Sequence, residues 1–322
     1  MRAMILRSLD GPDALELAEL PDPEPGPGQV AIDVEAAGCN FADTLITRGK
    51  YQIKPELPFS PGSEVAGRVS ALGAGVDGLT VGQPVLAQLG FGGYASVALA
   101  DARRVHAIPD DMDVEHAAGF GVAYQTSYLA LVDRARLQPG ETLLVQAAAG
   151  GVGLAAVQIG HALGARVIAG ASADKLELCR EEGADELLDT RSDGWHERVK
   201  ALTGGRGADV IYESVGGEVF ALSTKCIAWN GRLLVIGFSS GDIPSVKLNR
   251  VMLKHIAVIG VNLGGYHQHE PERLRSAMAE LLALYARGVR PRIGRSYPLE
   301  QAPEALAALA TRKTTGKVVL RP

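Results

Sequence analysis

Residues 141–170 constrain the fold more than any other segment, because a strand, a glycine-containing loop, a helix and a second strand follow one another there. The strand ETLLVQ leads into AAAGGVG, the helix AAVQIGHALG follows, and ARVIAG is the second strand. Gly150 and Gly151 allow a sharp turn close to a pyrophosphate, and Gly153 allows the helix to pack against the strand. A lone glycine pattern also fits an ordinary turn, but the full order favours a dinucleotide-binding loop on a helix N-terminus.

The pattern of this loop is A-x-x-G-x-x-G, because Ala147 stands where the usual fingerprint has its first glycine. The second strand ends at Ala171 and Ser172, with no carboxylate before Asp174. An NAD site normally has an acid there for the ribose hydroxyls. Ser172 and Lys175 can instead bind a 2′-phosphate, although Lys175 can equally begin a solvated helix face. The missing acid favours NADPH.

Strands and helices alternate from about residue 138 onward, which predicts a parallel, doubly wound sheet. The predicted strands are 142–147, 166–169, 186–188, 209–212, 232–236 and 256–260, and the predicted helices are 152–163, 173–182, 195–202 and 219–228. Residues 1–123 instead contain short strands separated by Gly and Pro, which indicates a barrel-like β module. A helix over 271–287, a short strand, a second helix near 301–311 and a strand over 317–320 follow, and the tail strands are expected to return to the β module.

Composition excludes several classes of protein. The net charge is −5 and the pI about 5.8, so no basic surface for a nucleic acid is expected. No run approaches the ~18 apolar residues of a membrane span, and charges interrupt the N-terminus too early for a signal peptide. Three scattered cysteines, Cys39, Cys179 and Cys226, point to a reducing cytoplasm.

Three motifs together are similar to those of a known family. The runs AAGCNFADTLITRGKY and LPFSPGSEVAG and the loop AAAGGVG, with Gln158 downstream, resemble the quinone oxidoreductase (zeta-crystallin-like) branch of the medium-chain dehydrogenase/reductase superfamily. The resemblance extends to TRKTTGKVVL near the C-terminus. His161 departs from the family's Lys, Arg or Ser in the glycine-loop signature.

The resemblance implies an α/β protein with two domains. These are a GroES-like β-barrel catalytic domain, residues 1–123 and 266–322, and an inserted doubly wound parallel-sheet (Rossmann) domain that binds NADPH, residues 124–265. It also implies a homodimer or homotetramer whose subunits join through the strand near 255–262. The family's cofactor residues carry over to Thr126, Ala149, Gly150, Gly151, Val152, Gly153, Ser172, Lys175, Phe238, Ser239, Val261, Asn262 and Arg312. The hydroxyl of Thr126 can equally bond back to its own helical turn.

The zinc ligands of related metal-dependent enzymes are missing. By the resemblance, the ligand Cys corresponds to Asn40 and the His of G-H-E-x-x-G to Ser63, so that only Glu64 remains. A catalytic zinc requires three protein ligands. Cys39 is one residue away, on the opposite face of a strand, and is expected to be a buried hydrophobe. His267 and His269 have no third ligand nearby in sequence, so no metal is expected.

Without a Lewis acid, hydride transfer to a quinone or conjugated carbonyl is favoured over alcohol–ketone exchange, because conjugation spreads the developing charge. The family pattern implies three catalytic residues. Asn40 can hold a carbonyl or the cofactor amide, Tyr51 can donate its phenolic proton, and Asp43 is expected to orient neighbours without titrating. Each of the three can also have a turn or capping role alone. Family-typical tyrosines correspond to Leu45 and Thr190 here.

Two other functions remain open at this point. One is NADPH-dependent reduction of an activated C=C bond, as in 2-alkenal reductases. The other is a non-catalytic, crystallin-like protein that binds NADPH.

Overall fold

The computed structural model describes residues 1–322, which form two compact units. The β unit contains 1–123, 271–282 and 290–322, and the α/β unit contains 124–270 and 283–289. The strands are β1 (Arg2–Leu6), β2 (Leu15–Glu19), β3 (Gln29–Cys39), β4 (Glu64–Leu72), β5 (Pro84–Gln88), β6 (Val97–Asp101), β7 (Val105–Ala107), β8 (Thr142–Gln146), β9 (Arg166–Ala171), β10 (Glu186–Asp189), β11 (Ala208–Glu213), β12 (Ile227–Val235), β13 (Ala257–Gly260), β14 (Ile293–Pro298) and β15 (Lys317–Arg321).

The α-helices are α1 (Phe41–Ile46), α2 (Val114–Phe120), α3 (Ala123–Tyr128), α4 (Gly151–Ala162), α5 (Leu176–Glu181), α6 (Trp195–Leu202), α7 (Gly217–Cys226), α8 (Leu248–Lys254), α9 (Leu263–His269), α10 (Pro271–Ala286) and α11 (Ala302–Ala310). None of them combines the length and apolar character needed to cross a membrane.

The α/β unit is built on six parallel strands in the order β10-β9-β8-β11-β12-β13. All five residues of β8 are buried, as expected of a central parallel strand covered on both faces. The order reverses direction between β8 and β11, which is the switch point where doubly wound sheets bind ligands. The predicted doubly wound sheet is therefore confirmed.

The β unit contains a seven-stranded sheet in which β14, β15, β3, β4, β5 and β7 follow one another, with β6 also paired to β3. β15 lies antiparallel to β3, so the C-terminal strand returns to the β module as predicted. Apolar side chains from these strands form one core, and Cys39 belongs to it with 2% of its surface exposed. The interpretation of Cys39 as a small buried hydrophobe is thus confirmed.

Several predicted boundaries differ from the structure. The predicted helix 173–182 begins as a short 3₁₀ turn, Ala173–Lys175, before α5, and β12 begins five residues earlier than predicted. Helices α8 and α9 were not predicted. The second boundary between units lies at Glu270/Pro271, five residues beyond the predicted one, because α9 belongs to the α/β unit. Residues 283–289 belong to that unit too.

Candidate active site

Three polar side chains meet inside the β unit at the ends of adjacent strands. Glu64 begins β4, Lys317 begins β15, and Asn40 follows the last residue of β3, which lies between those two strands. The Lys317 ammonium lies 2.8 Å from Glu64 Oε1, and both side chains are buried, with 3% and 1% exposed. A charged pair this deep is stable only where further hydrogen bonds satisfy both groups.

Those further hydrogen bonds are present. Lys317 Nζ donates to the carbonyl oxygen of Cys39 at 3.0 Å and to Asn40 Oδ1 at 2.8 Å. Glu64 Oε2 accepts from the backbone N–H of Val122 at 2.7 Å, and Glu64 Oε1 accepts from Asn40 Nδ2 at 2.9 Å. Lys317 therefore uses all three of its N–H groups within the protein.

Asp43 lies next to this cluster, on α1. Its Oδ2 accepts from the backbone N–H of Asn40 and from the hydroxyl of Tyr94, both at 2.8 Å, while Oδ1 is buried without a hydrogen bond. Burial raises the pKa of Asp43 to about 6, and the two hydrogen bonds partly oppose that rise. The contacts agree with an orienting role. A pKa of about 6 also allows Asp43 to exchange a proton near neutral pH, so its role as an orienting group that does not titrate stays a prediction.

Tyr51 is half-buried beyond the end of α1 and packs against the core of the β unit. Burial raises its pKa, and the neighbouring charge of Asp43 raises it further. The phenol therefore keeps its proton across the physiological range and is a hydrogen-bond donor there. Asn40, Asp43 and Tyr51 thus lie in one region of the β unit.

The glycine loop of the α/β unit connects β8 to α4. Ala147 adopts φ +50° and its carbonyl oxygen accepts from the N–H of Gly150 at 3.0 Å. A Cβ on Gly153 would lie 2.3 Å from that same oxygen, so no larger residue fits without movement. Gly150 itself has φ −83°, and a Cβ there would meet only Ala147 O at 3.4 Å.

The turn is therefore made differently from the prediction. The left-handed backbone falls on Ala147 and not on Gly150, so Gly150 contributes open space rather than backbone freedom. That open space lies beside the first turn of α4, where the N–H groups have no partners within the helix. A phosphate group fits such a position.

Six further predicted cofactor residues of the α/β unit lie at or near the carboxyl ends of its strands: Ser172, Lys175, Phe238, Ser239, Val261 and Asn262. Ser172 follows β9 and precedes the turn containing Lys175, whereas residues 238–239 and 261–262 follow β12 and β13. The Ser172 hydroxyl hydrogen-bonds to Asp174 and lowers the pKa of that exposed carboxyl. Asn262 caps α9 by accepting from the N–H of Gly265 at 3.2 Å.

Thr126 lies on α3 of the α/β unit, and Arg312 belongs to the β unit. Thr126 is half-buried on α3 and makes no hydrogen bond back to its own turn; its neighbour Ser127 instead donates to the carbonyl of Val152 at 2.8 Å. Arg312 follows α11 in the β unit with φ +56°.

Sequence reasoning missed three residues near these groups: Lys317, Tyr94 and Arg191. Arg191 is exposed beyond β10 and helps to lower the pKa of Asp174 through its charge. A lysine at the start of the otherwise apolar strand KVVL was a signal for Lys317. No group of three or more His, Cys, Asp or Glu side chains that could hold a metal ion is found in the structure.

Comparisons with known proteins cover most of the chain. A family model described as zinc-binding dehydrogenase matches residues 151–283, and one described as alcohol dehydrogenase GroES-like domain matches residues 26–110. A quinone oxidoreductase-like protein 2 homolog of Nematostella vectensis is 40% identical over 92% of this chain and 82% of its own length.

Two bacterial proteins are similar over nearly their full length. A quinone oxidoreductase of Pseudomonas aeruginosa is 38% identical over 97% of both chains. The crystal structure of Escherichia coli quinone oxidoreductase complexed with NADPH is 32% identical, with a TM-score of 0.92 over 100% of both chains.

Proposed function

This chain belongs to the quinone oxidoreductase family of the medium-chain dehydrogenase/reductase superfamily, and we propose that it transfers a hydride from NADPH to a quinone or similarly conjugated carbonyl. The observation that carries the proposal is the buried Lys317 ammonium, within 2.8 Å of both Glu64 Oε1 and Asn40 Oδ1. Asn40 and Ser63 stand where metal-dependent relatives are expected to have ligands. A zinc ion there would have to share Glu64 with an existing cation, which favours chemistry without a metal.

Metal-free chemistry in turn favours a conjugated acceptor. A quinone spreads the negative charge that arrives with the hydride, so its carbonyl needs no strong Lewis acid. One or two hydrogen bonds to the developing oxyanion are then sufficient. The family model described as zinc-binding dehydrogenase matches 151–283, a range that contains none of residues 40, 63 and 64.

The α/β unit offers a site for NADPH, which supplies the hydride when bound. We assign the pyrophosphate to the residues around the start of α4, where Gly150 leaves open space: Ala149, Gly150, Gly151, Val152 and Gly153. Ser172 and Lys175 would hold the 2′-phosphate, since β9 ends without a carboxylate. Residues flanking the nicotinamide half would be Thr126, Phe238, Ser239, Val261 and Asn262.

The β unit offers the groups that act on the acceptor. Asn40 would donate an N–H to a substrate carbonyl, and the Tyr51 phenol, which keeps its proton, would donate to the developing oxyanion. Asp43 would orient Asn40 through its backbone N–H.

The experiment follows NADPH oxidation by the near-ultraviolet absorbance of NADPH, with an ortho-quinone and a 2-alkenal as acceptors in parallel. Each assay is repeated with a metal chelator, and again with NADH in place of NADPH. Turnover of the quinone that resists chelator and is faster with NADPH is the expected result. Turnover of the alkenal but not of the quinone would show that the enzyme reduces activated C=C bonds instead. NADPH binding with neither acceptor reduced would indicate the non-catalytic function, and loss with chelator would overturn the metal-free proposal.

We also propose that the protein forms a homodimer through the edge of the α/β sheet. Strand β13 pairs only with β12, which leaves its other edge without a strand neighbour. Large apolar side chains near this edge are exposed, among them Trp229 at 68%, Met252 at 69% and Leu253 at 67%. An open edge beside an apolar patch is typical of a surface covered in the assembly, and a second copy offers the same edge.

A cytoplasmic location is part of the proposal. Cys39, Cys179 and Cys226 are buried and form no disulfide, and burial raises the pKa of each thiol to about 12. The fold therefore uses them as protonated thiols, which suits a reducing compartment. Localisation of a tagged full-length chain by cell fractionation tests this.

A further inference from the structure

We propose that Lys317 is a positioning residue, which together with Glu64 fixes the side-chain amide of Asn40 so that it offers a bound substrate only a hydrogen-bond donor. The inference rests on the proposed function and deepens it. It names the chemistry of the group recognised at Asn40, which is a hydrogen-bond acceptor such as a carbonyl oxygen.

The charges on either side of the Asn40 amide determine its orientation. Oδ1 accepts from the Lys317 ammonium at 2.8 Å, and Nδ2 donates to Glu64 Oε1 at 2.9 Å. Turning the amide by 180° would place its NH₂ group against an ammonium and its carbonyl oxygen against a carboxylate. Both contacts would then be repulsive, so the ion pair excludes the reversed orientation.

This orientation of the Asn40 amide leaves only an N–H donor available to a ligand. Oδ1 faces the ammonium, and one N–H of Nδ2 is bound to Glu64. The second N–H has only a long contact of 3.5 Å with the hydroxyl oxygen of Ser63. Asn40 is half-buried, whereas Lys317 is almost fully enclosed. The amide can therefore reach a ligand and can offer it this N–H.

Lys317 acts on a ligand only through Asn40, because its three N–H groups are all used by Cys39, Asn40 and Glu64. An ammonium bound to Oδ1 polarises the amide and strengthens its N–H groups as donors. The donated hydrogen bond is thus better suited to an oxyanion than that of an isolated amide.

The surrounding backbone leaves little room for any other arrangement. A Cβ on Gly38 would lie 2.4 Å from Glu64 Oε1, and a Cβ on Gly119 would lie 3.1 Å from Lys317 Cγ. The strand and helix that enclose the ion pair therefore have glycine where a side chain would displace it. This packing is consistent with a pair held in one geometry.

The first test is the double variant Lys317→Met/Glu64→Gln, which removes both charges without leaving either one buried alone. Its quinone kcat should fall at least tenfold, while the dissociation constant for NADPH changes less than twofold. Adding the same double change to Asn40→Leu should lower kcat less than twofold relative to Asn40→Leu alone. The ion pair acts through the Asn40 amide, which that background lacks. Additive losses would overturn the proposal.

A matched control uses an ion pair of the α/β unit. Arg232 and Glu141 are joined there and are mostly buried, so Arg232→Met/Glu141→Gln removes the same kinds of charge. This control should lower the melting temperature and leave the quinone kcat unchanged. An equal fall of kcat in the control would show that lost stability, and not the Asn40 amide, explains the effect.

The donor itself is tested by Asn40→Asp, which keeps the shape of the side chain, removes its N–H groups and places a carboxylate oxygen against Glu64. The expected quinone kcat equals that of Asn40→Leu; activity near the wild-type value would overturn the proposal. This arm does not depend on the folding of the double variant.

A readout without turnover separates this inference from the proposed function. In the ¹⁵N spectrum of the full chain, the Asn40 side-chain amide, identified by its loss in Asn40→Leu, should shift in Lys317→Met/Glu64→Gln. An unchanged signal would overturn the role of Lys317. If the wild-type protein reduces no quinone but the signal shifts, the proposed function fails and the positioning remains.

Discussion

The hydroxyl of Tyr94 donates a hydrogen bond of 2.8 Å to Oδ2 of Asp43, and both side chains are at most 1% exposed. Burial raises the pKa of Asp43 to about 6 and that of Tyr94 well above its ordinary value. Tyr94 therefore remains a donor at every physiological pH, whereas Asp43 gains or loses a proton near neutrality.

The pH dependence of stability follows from that carboxyl. Its pKa is higher in the folded state than the ordinary value of 3.8, so the folded state binds the proton more tightly. The resulting stabilisation is fully present below about pH 4 and is lost as pH rises through about 6. Relative to Asp43→Asn, the wild-type protein should be more stable at pH 5 than at pH 8 by about 1 kcal/mol. Urea unfolding of both proteins at the two pH values measures the difference, and a pH-independent difference would contradict the prediction.

Replacing Gly153 should damage the phosphate loop. The Cβ of Gly153→Ala would lie 2.3 Å from Ala147 O, so the loop or the start of α4 must move. We expect the dissociation constant for NADPH to rise at least about tenfold, since phosphate binding depends on the placement of these N–H groups. Fluorescence titration with NADPH measures it. Gly90→Ala, where a Cβ meets nothing within 4 Å, is the control and should bind normally; equal binding by both variants would contradict the assignment.

The α/β sheet was predictable from sequence because most of its strands are apolar runs that alternate with helices along the chain. Helix α8 was not predicted, since Val251 is its only apolar residue packed against a core, whereas Leu248, Met252 and Leu253 are largely exposed. The Ala147 turn was also missed, because glycine is the usual residue with a positive φ and the pattern directed attention to Gly150.

Lys317 was missed for another reason. Its partner Glu64 is 253 residues away in the chain, and only the pairing of β15 with β3 and of β3 with β4 brings the two together. The lysine at the start of KVVL is a local signal for a buried charge, but no local pattern identifies its partner. The motif residue Asn40 could be identified, but not the charges that orient it.

The cofactor preference should depend on Lys175. Removing a cation that binds a 2′-phosphate costs about 1.5–3 kcal/mol, so Lys175→Ala should raise the KM for NADPH roughly tenfold or more. The KM for NADH should stay within twofold, because NADH has no 2′-phosphate. Initial rates with each nucleotide at saturating quinone measure both values. Lys200→Ala, which removes a lysine paired with Glu197 on α6, should change neither. Equal effects on NADPH and NADH would place Lys175 outside the phosphate pocket.

Tyr51→Phe should lower the quinone kcat by about tenfold. The change removes one of two proposed donors to the oxyanion, and the loss of a single donor of this kind costs about 10²–10³-fold where it acts as the principal one. The Kd for NADPH should not change. Tyr297→Phe removes a hydroxyl elsewhere in the same unit and should have the wild-type kcat. Stopped-flow measurement of NADPH oxidation by the quinone gives the rate of hydride transfer. A wild-type rate in Tyr51→Phe would show that the phenol does not assist this transfer.

Leu253→Asp should separate the subunits of the proposed dimer. Leu253 is 67% exposed on α8, the helix that directly precedes β13 in the chain. In the assembly a carboxylate there would be buried without a partner, which costs several kcal/mol per charge, and the change occurs twice in a symmetric dimer. In the monomer the same side chain remains in water, so the fold should keep its melting temperature.

Light scattering coupled to size exclusion should show a dimer for the wild-type protein and a monomer for Leu253→Asp. Val81→Asp, at an exposed apolar position of the β unit, should remain a dimer, whereas a dimeric Leu253→Asp would show that the subunits meet through another surface.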